Sequence, residues 1–148
     1  MAVPASPSAC PLCATPGGQL LVESPEWRII RAEEPDYPGF LRVIWSRHAG
    51  EMSDLDDGEQ QRLMAAVLAC ERVLRRLYAP DKVNLASLGN MVPHLHWHII
   101  PRWRDDPTFP GAIWAARRTD GVAPAPRPAV DDRTLAEALK AELEPAKA

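Results

Sequence analysis

The stretch HLHWHIIP, residues 94–101, places three of the four histidines of the chain at every second position. On an α-helix, residues two apart point in widely different directions, whereas on a β-strand they share one face. We therefore predict a strand that carries three imidazoles on one face: His94, His96 and His98. The residues between them are apolar and alternate onto the other face: Leu95, Trp97 and Ile99. This is the pattern of a half-buried strand with one face that packs and one face that carries chemistry.

Three aligned imidazoles support two different chemistries. They could bind one catalytic metal ion, as in three-histidine zinc sites. Alternatively, one could be a nucleophile whose neighbours orient it and bind an anion. A third interpretation, three polar residues on a solvated face, also remains open at this point.

Near the start of the chain, Cys10 and Cys13 have the CxxC spacing of a zinc knuckle, in which two thiolates hold one tetrahedral ion. Such a site needs two further ligands, commonly histidines, and His48 at the end of a predicted strand is a candidate. A surface cysteine pair with no role is an alternative. A redox dithiol is disfavoured because no thioredoxin-like βαβ pattern surrounds the pair.

Length and charge restrict the class of protein. A chain of 148 residues suits one domain, and a net charge of −3 with a pI of about 5.8 argues against a basic nucleic-acid groove. The first ten residues lack the charged and apolar regions of a leader, and no stretch reaches the roughly 18 apolar residues of a membrane span. Three cysteines, an odd number, fit a reducing compartment. We therefore expect a cytoplasmic protein with no membrane partner.

The remaining pattern predicts short strands around one long helix. From residue 57 to residue 78 apolar residues recur at helical spacing, with Asp57 and Gln60 as a candidate capping box. These apolar residues form one stripe: Leu63, Val67, Cys70, Leu74 and Leu77. Four further strands are indicated by short β-rich runs: GGQLLVES, EWRIIRA, FLRVIW and DKVNLASL.

We predict an α+β fold, in which a five-stranded antiparallel sheet packs with one long helix and a short C-terminal helix. Residues 1–9 are expected to be a flexible arm and residues 10–120 the folded domain. Residues 121–148 are expected to hold a Pro-rich linker and an amphipathic helix, with Asp132 as its N-cap.

The strand HLHWHIIPR, preceded by GNMVP, resembles the signature of the histidine triad (HIT) family, in which histidine and hydrophobic residues alternate after a Gly-Gln-Ser/Thr-Val segment. The resemblance extends over roughly residues 10–105 and includes the CxxC pair and the long helix. It implies a HIT-like sheet and a homodimeric nucleoside phosphate hydrolase or nucleotidyl transferase. The implied substrates are dinucleoside polyphosphates, nucleoside phosphoramidates or other nucleotidyl conjugates.

The resemblance also implies roles for individual residues. His96 would attack the α-phosphorus and form a nucleotidyl-imidazole, and His98 would support the phosphate and the leaving group. A structural zinc ion would be held by four residues: Cys10, Cys13, His48 and His94. Substrate contacts would come from Asn84, Asn90 and Met91, and ribose would be bound by either Glu33 or Glu34.

Several positions depart from the pattern of the family. Phe40 stands where many members have a histidine after Pro-Gly, and Met91 lacks the hydroxyl of the usual Ser/Thr, although its backbone N–H remains. These departures keep two alternatives open: a nucleotide-binding or interaction module with little activity, and a metalloenzyme in which all three triad histidines bind one ion.

Aromatic and basic residues near the triad are further candidates. Trp97 is expected in the core, whereas Trp103 and Trp114 could cover the site or contact a dimer partner. Arg102 and Arg104 could contact a polyphosphate, although a solvated surface arginine is the more common case.

Overall fold

The structure is a computed structural model that describes residues 7–144. The arm expected over residues 1–9 lies mostly outside the described residues, and its last part, Pro7–Ala9, forms a 3₁₀ turn. Within the described residues the chain forms eight longer elements: α1 (Pro11–Ala14), β1 (Gln19–Glu23), β2 (Trp27–Arg31), β3 (Leu41–Trp45), α2 (Asp57–Tyr78), β4 (Lys82–Ala86), β5 (His96–Arg102) and α3 (Asp132–Leu143).

The five strands of the described chain form one antiparallel sheet in the order β1-β2-β3-β5-β4. Strand β5 therefore lies between β3 and β4, with Arg42 opposite His98 on one side and Ala86 opposite His98 on the other. The predicted α+β fold with a five-stranded antiparallel sheet is confirmed. The sheet places the histidine strand where two neighbours can contribute side chains to it.

Helix α2 covers the face of the sheet opposite His96 and His98. Four of the five residues of its predicted stripe are fully buried, and Leu77 is half-buried. Trp97 packs against this core, as predicted. The packing role predicted for Cys70 is also confirmed, and burial raises the pKa of its thiol.

The start of α2 lies one residue from the predicted cap. Asp56, not Asp57, is the N-cap, and it forms a capping box with Glu59 in which each side chain accepts from the backbone N–H of the other. Since Asp56 has extended backbone angles, Asp57 already belongs to the first turn.

Helix α3 packs against α2 and β1, and the side chains of Leu135 and Leu139 are fully buried in the same core. Ion pairs of Asp132 with Arg31 and of Glu142 with Arg72 tie its two ends to the sheet and to α2. The predicted C-terminal helix is confirmed, although its N-cap is Asp131 and not Asp132. The helix shares the core of the sheet, while the domain boundary at residue 120 remains a prediction.

No helix in the described part of the chain combines the length and the apolar character that a membrane span requires.

Candidate functional site

Two cysteines and two histidines converge at one end of the sheet. The ligand atoms of Cys10, Cys13, His48 and His94 all lie within 4.8 Å of one another. The Nδ1 atoms of His48 and His94 are 3.3 Å apart, and the Sγ atom of Cys13 lies 3.3 Å and 3.4 Å from them. The Sγ atom of Cys10 lies 3.5 Å from Nδ1 of His94. The predicted four residues therefore form a group that can hold a metal ion.

His94 precedes the regular strand, which begins at His96 rather than at residue 94 as predicted. Its Nε2–H donates to the carbonyl of Trp45 at 2.5 Å, because a carbonyl oxygen can only accept. This bond leaves the lone pair of Nδ1 directed toward the cysteines. Metal-binding histidines commonly donate their other ring N–H in this way, which orients the ring.

The imidazole of His96 is held in the opposite tautomer. Its Nδ1–H donates to the backbone carbonyl of His94 at 2.5 Å, so the neutral ring carries its lone pair on Nε2. Burial lowers the pKa of His96 and the charge of Arg42 lowers it further, although the hydrogen bond to His94 acts in the other direction. His96 is therefore a neutral imidazole at pH 7, and no hydrogen-bond donor within the described residues meets its Nε2 lone pair.

His98 receives a hydrogen bond from Arg42, whose Nε–H lies 3.2 Å from Nδ1 of His98. Because arginine can only donate, the neutral ring of His98 carries its proton on Nε2. Burial, with smaller effects from His96 and Arg42, lowers the pKa of His98 to about 4. The rings of His96 and His98 meet edge to face with centroids 4.9 Å apart.

A cavity of about 490 Å³ opens over these two histidines. Asn90 and Met91 line it, as does Arg42, and Gly89 makes the turn before them with a positive φ of 86°. The other walls are apolar: Leu12, Leu88, Val92 and Trp114. The structure thus brings Asn90 and Met91 to the triad, and it adds Arg42, which sequence reasoning missed. A charged residue inside the apolar run FLRVIW was the available signal for Arg42.

Other candidate residues lie elsewhere. Asn84 lines a neighbouring cavity of about 720 Å³, and its Oδ1 accepts from Arg102 at 2.8 Å. Glu33 and Glu34 line a third cavity, beside Tyr78. The negative charge of Glu34 nevertheless favours the charged form of Arg42. The structure therefore does not bring these three residues into the cavity that holds His96 and His98.

Arg102 is neither a phosphate contact nor a solvated surface residue, because its side chain is only 2% exposed. Its guanidinium donates to both carboxylate oxygens of Asp106 and to the hydroxyl of Thr108 and the carbonyl of Gly111. Burial raises the pKa of Asp106, but hydrogen bonds from Arg102 and from backbone N–H groups outweigh this, and the net shift is downward. The pair fixes the course of the chain after β5.

The two tryptophans after the triad have different positions. Trp103 is buried against Tyr78 and under Arg127, so it belongs to the core. Trp114 is 55% exposed, and its ring centroid lies 5.2 Å from that of His98. Only Trp114 of this pair therefore borders the site.

A family model described as HIT domain matches residues 17–105. The chain is 35% identical over 81 residues to an AP-4-A phosphorylase of Mycobacterium tuberculosis, covering 51% of this chain and 42% of that protein. It is 31% identical over 78 residues to a bis(5'-nucleosyl)-tetraphosphatase of Schizosaccharomyces pombe, covering 49% of this chain and 43% of the relative. The chain thus spans less than half the length of these two curated relatives.

Solved structures cover more of the chain. A histidine triad protein from Bradyrhizobium japonicum is 30% identical and superimposes with a TM-score of 0.66 over 87% of this chain and 92% of that one. A histidine triad protein from Marinobacter aquaeolei is 29% identical, with a TM-score of 0.65 over 86% and 90% of the two chains. With the family model matching more than half of its residues, the chain belongs to the HIT domain family.

Proposed function

We propose that this protein hydrolyses or transfers nucleotidyl groups at the α-phosphate of a nucleotide conjugate, through a covalent intermediate on His96. The observation that carries the proposal is the 2.5 Å hydrogen bond from Nδ1–H of His96 to the carbonyl of His94, which leaves Nε2 as the nucleophilic atom. The names of the two curated relatives favour a dinucleoside polyphosphate over a phosphoramidate as substrate.

In the proposed first step, the lone pair on Nε2 of His96 forms a bond to the α-phosphorus, and the bond from phosphorus to the bridging atom breaks. The leaving group keeps that electron pair. The positive charge that develops on the imidazole is stabilised at Nδ1–H by the carbonyl of His94. In the second step, water or another acceptor attacks phosphorus, the bond from phosphorus to Nε2 breaks with its electron pair returning to Nε2, and the proton that the acceptor loses passes to solvent.

His98 and Arg42 would stabilise the phosphate. Since Nδ1 of His98 accepts from Arg42, its Nε2–H is free to donate to a phosphate oxygen. Arg42 also lies over the ring of Phe40, with 4.9 Å from its guanidinium carbon to the ring centroid. Asn90 would offer its amide and Met91 its backbone N–H to the same phosphate group.

Acid-quenched mixing with diadenosine tetraphosphate, followed by intact-protein mass spectrometry, tests this mechanism. We expect a transient mass increase of one adenylyl group in the wild type. His98→Ala should show the same increase at lower yield, and His96→Ala should show none. Turnover that persists in His96→Ala would refute the nucleophile.

A nucleotide-binding module with little activity is the second candidate function. Phe40 supports it, because an apolar ring lies 5.6 Å from His98 at a position where many members have a histidine. Binding of adenosine nucleotides by the wild type, with neither adduct nor turnover, would favour this candidate.

We also propose that the metal is zinc and that its role is structural. Tetrahedral zinc, with bonds of about 2.0–2.1 Å to nitrogen and about 2.3 Å to sulfur, requires ligand atoms about 3.3–3.8 Å apart. Four of the six distances between ligand atoms are 3.3–3.5 Å and fall in this range, while the whole set lies within 4.8 Å. Four protein ligands leave no open position for water, so zinc would supply rigidity to α1 and to the segment before β5.

Metal analysis of purified variants separates a structural ion from a three-histidine catalytic ion. We expect about one zinc per chain in the wild type and in His96→Ala, and loss of zinc in Cys13→Ser. Cys70→Ser is the matched control, because Cys70 lies in the core away from the cluster. Loss of zinc in His96→Ala would instead support the metalloenzyme.

A homodimer and a cytoplasmic location are likewise proposals. Strand β4 forms one edge of the sheet and exposes Leu85, which is 37% accessible. Pairing of two such edges would continue the sheet across two copies. Light scattering coupled to gel filtration gives the mass directly, and a monomer at micromolar concentration would contradict the dimer.

A further inference from the structure

The side chain of Arg28 on β2 holds the segment that carries the CxxC pair. Its Nη2 donates to the carbonyl of Leu12 at 2.6 Å and to the carbonyl of Thr15 at 3.0 Å. Its Nε donates to the carbonyl of Pro16 at 2.9 Å. We call these three hydrogen bonds the Arg28 clamp. Arg28 belongs neither to the four-residue ligand group nor to the lining of the cavity over the triad.

The sequence explains why this segment needs an external donor. Helix α1 has only four residues, and so short a helix has little stability of its own. In a longer helix the N–H of residue 16 would donate to the carbonyl of Leu12, but residue 16 is proline and has no N–H. Arg28 supplies that bond instead. The guanidinium presents five N–H donors in a fixed fork, which suits three carbonyls at once better than the compact ammonium of a lysine.

The clamp lies on the face of the sheet that carries the triad. Arg28 is directly opposite Ile44 in β3, and Ile44 is directly opposite His96 in β5. Because directly opposed residues project to the same side, these three side chains form one row across the sheet. Leu12 packs against the apolar cluster that includes Ile44. A Cβ at Gly17 would lie 2.8 Å from Cδ2 of Leu12 and 3.1 Å from Cδ1 of Ile44, so the segment sits tightly on this row.

Helix α1 contributes to two sites at once. Cys10 at its N-cap and Cys13 within it belong to the ligand group. Leu12, between them, lines the cavity of about 490 Å³ over His96 and His98, which we call the triad cavity. A displacement of α1 would therefore move metal ligands and cavity wall together.

We propose that Arg28 is a positioning residue for both sites: the clamp fixes α1 against β2, which pre-organises the two cysteines for the metal ion and keeps Leu12 in the wall of the triad cavity. This inference rests on the proposed zinc site and on the proposed function. Two of the three bonds are exposed, so water can replace the arginine without unfolding the domain. The loss is local, because an unclamped α1 must be ordered when zinc or substrate binds, and this weakens both events.

Zinc affinity, measured by competition with a chromogenic chelator, tests the first half of the inference. Loss of a group that orients a metal ligand typically lowers metal affinity by about 10–100-fold. The clamp bonds the backbone beside the ligands, so we expect the lower end of this range, about ten-fold weaker binding, in Arg28→Met. Arg28→Lys keeps the charge but cannot reach three carbonyls, and it should weaken zinc binding almost as much.

Arg31→Met is the matched control for the zinc measurement. It removes an arginine of the same strand that pairs with Asp132 at the start of α3, so it should leave zinc affinity unchanged. Unchanged zinc affinity in Arg28→Met would overturn the inference. Full affinity in Arg28→Lys would show that charge and not the three bonds matters, and it would overturn the inference as well.

Steady-state kinetics with diadenosine tetraphosphate at saturating zinc tests the second half. We expect KM to rise about two- to five-fold in Leu12→Ala and in Arg28→Met with little change in kcat, because the wall of the cavity changes while the triad histidines do not. If Arg28 acts through Leu12, the double variant should show only the larger of the two single effects. Single effects that multiply in the double variant, or a fall in kcat with KM unchanged, would overturn the positioning role.

The measurements separate failure of the clamp from failure of the proposals beneath it. A wild type that holds no zinc would refute the proposed zinc site and this inference with it. If the wild type holds zinc but turns over no nucleotide, the proposed function fails together with the cavity half of the inference, while the zinc affinities still decide the clamp. Normal turnover by the wild type, with unchanged zinc affinity and KM in Arg28→Met, would overturn the inference alone.

Discussion

Removing the carboxylate of Asp106 should destabilise the protein far more than a typical surface change. Asp106 accepts five hydrogen bonds, two from the guanidinium of Arg102 and three from backbone N–H groups. In Asp106→Ala the guanidinium of Arg102 stays buried, with its charge no longer compensated. Removal of one partner from a buried ion pair costs about 3–5 kcal/mol.

That cost is a large part of the stability of an ordinary domain, which is about 5–15 kcal/mol. Urea denaturation at pH 7, followed by circular dichroism, measures it as a shift of the unfolding midpoint. Asp120→Ala is the matched control. Asp120 pairs with Arg118 at the surface, so this substitution should change the unfolding midpoint little.

If Asp106→Ala does not fold, the unfolding midpoint of the double variant Arg102→Met/Asp106→Leu can be measured instead. The two apolar residues remove both charges together and leave no unpaired buried charge, so the double variant should be more stable than Asp106→Ala. A midpoint for Asp106→Ala that equals the control, or a double variant no more stable than the single one, would refute the argument.

Three further outcomes are expected. Arg42→Met removes the donor to His98, and kcat/KM for diadenosine tetraphosphate should fall about ten- to a hundred-fold. Arg47→Met is the control, because Arg47 forms an exposed ion pair with Glu59, and it should leave kcat/KM unchanged. The pKa of His98 is about 4 in the folded protein, below its ordinary value of 6.5. As pH falls, His98 is therefore protonated in the unfolded chain before it is protonated in the folded protein. The free energy of unfolding should decline as pH falls from about 6.5 toward 4. The urea midpoint of His98→Gln should decline less over that range, and equal slopes would contradict the assignment. Leu139→Ala should lower the free energy of unfolding by about 2–5 kcal/mol, because the side chain is fully buried. Leu20→Ala is the control, since that side chain is 40% exposed and its loss should have a much smaller effect. A small loss of stability in Leu139→Ala would mean that α3 does not share the core.

The parts of the fold that could be predicted depend on local periodicity. The alternation in HLHWHIIP gave the strand and its two faces, and the spacing from Leu63 to Leu74 gave the buried face of α2. The two capping predictions were each wrong by one residue, because adjacent aspartates at both helix starts are equally good caps by sequence.

The parts that could not be predicted depend on contacts between distant segments. Arg42 reaches His98 only because β3 pairs with β5, and Arg102 is buried only because the chain after β5 folds back over it. The resemblance implied that Asn84 contacts substrate, but Asn84 lines the neighbouring cavity, where its Oδ1 accepts from Arg102. Local sequence patterns carry little signal for such pairings, because the paired residues are far apart in the chain.

The bonds that hold the three histidines imply that the repeat in HLHWHIIP comprises three different requirements. For the proposed zinc site, position 94 needs a side chain that can bind the metal, while the carbonyl that it offers to His96 belongs to the backbone and would survive a change of side chain. For the proposed nucleophile, position 96 needs a neutral nitrogen lone pair, which no other common side chain supplies at pH 7 in the same shape. In the proposed mechanism, position 98 needs an acceptor for Arg42 and a donor for the phosphate, and an amide side chain combines both. His98 should therefore tolerate substitution better than His96, although both positions carry histidine.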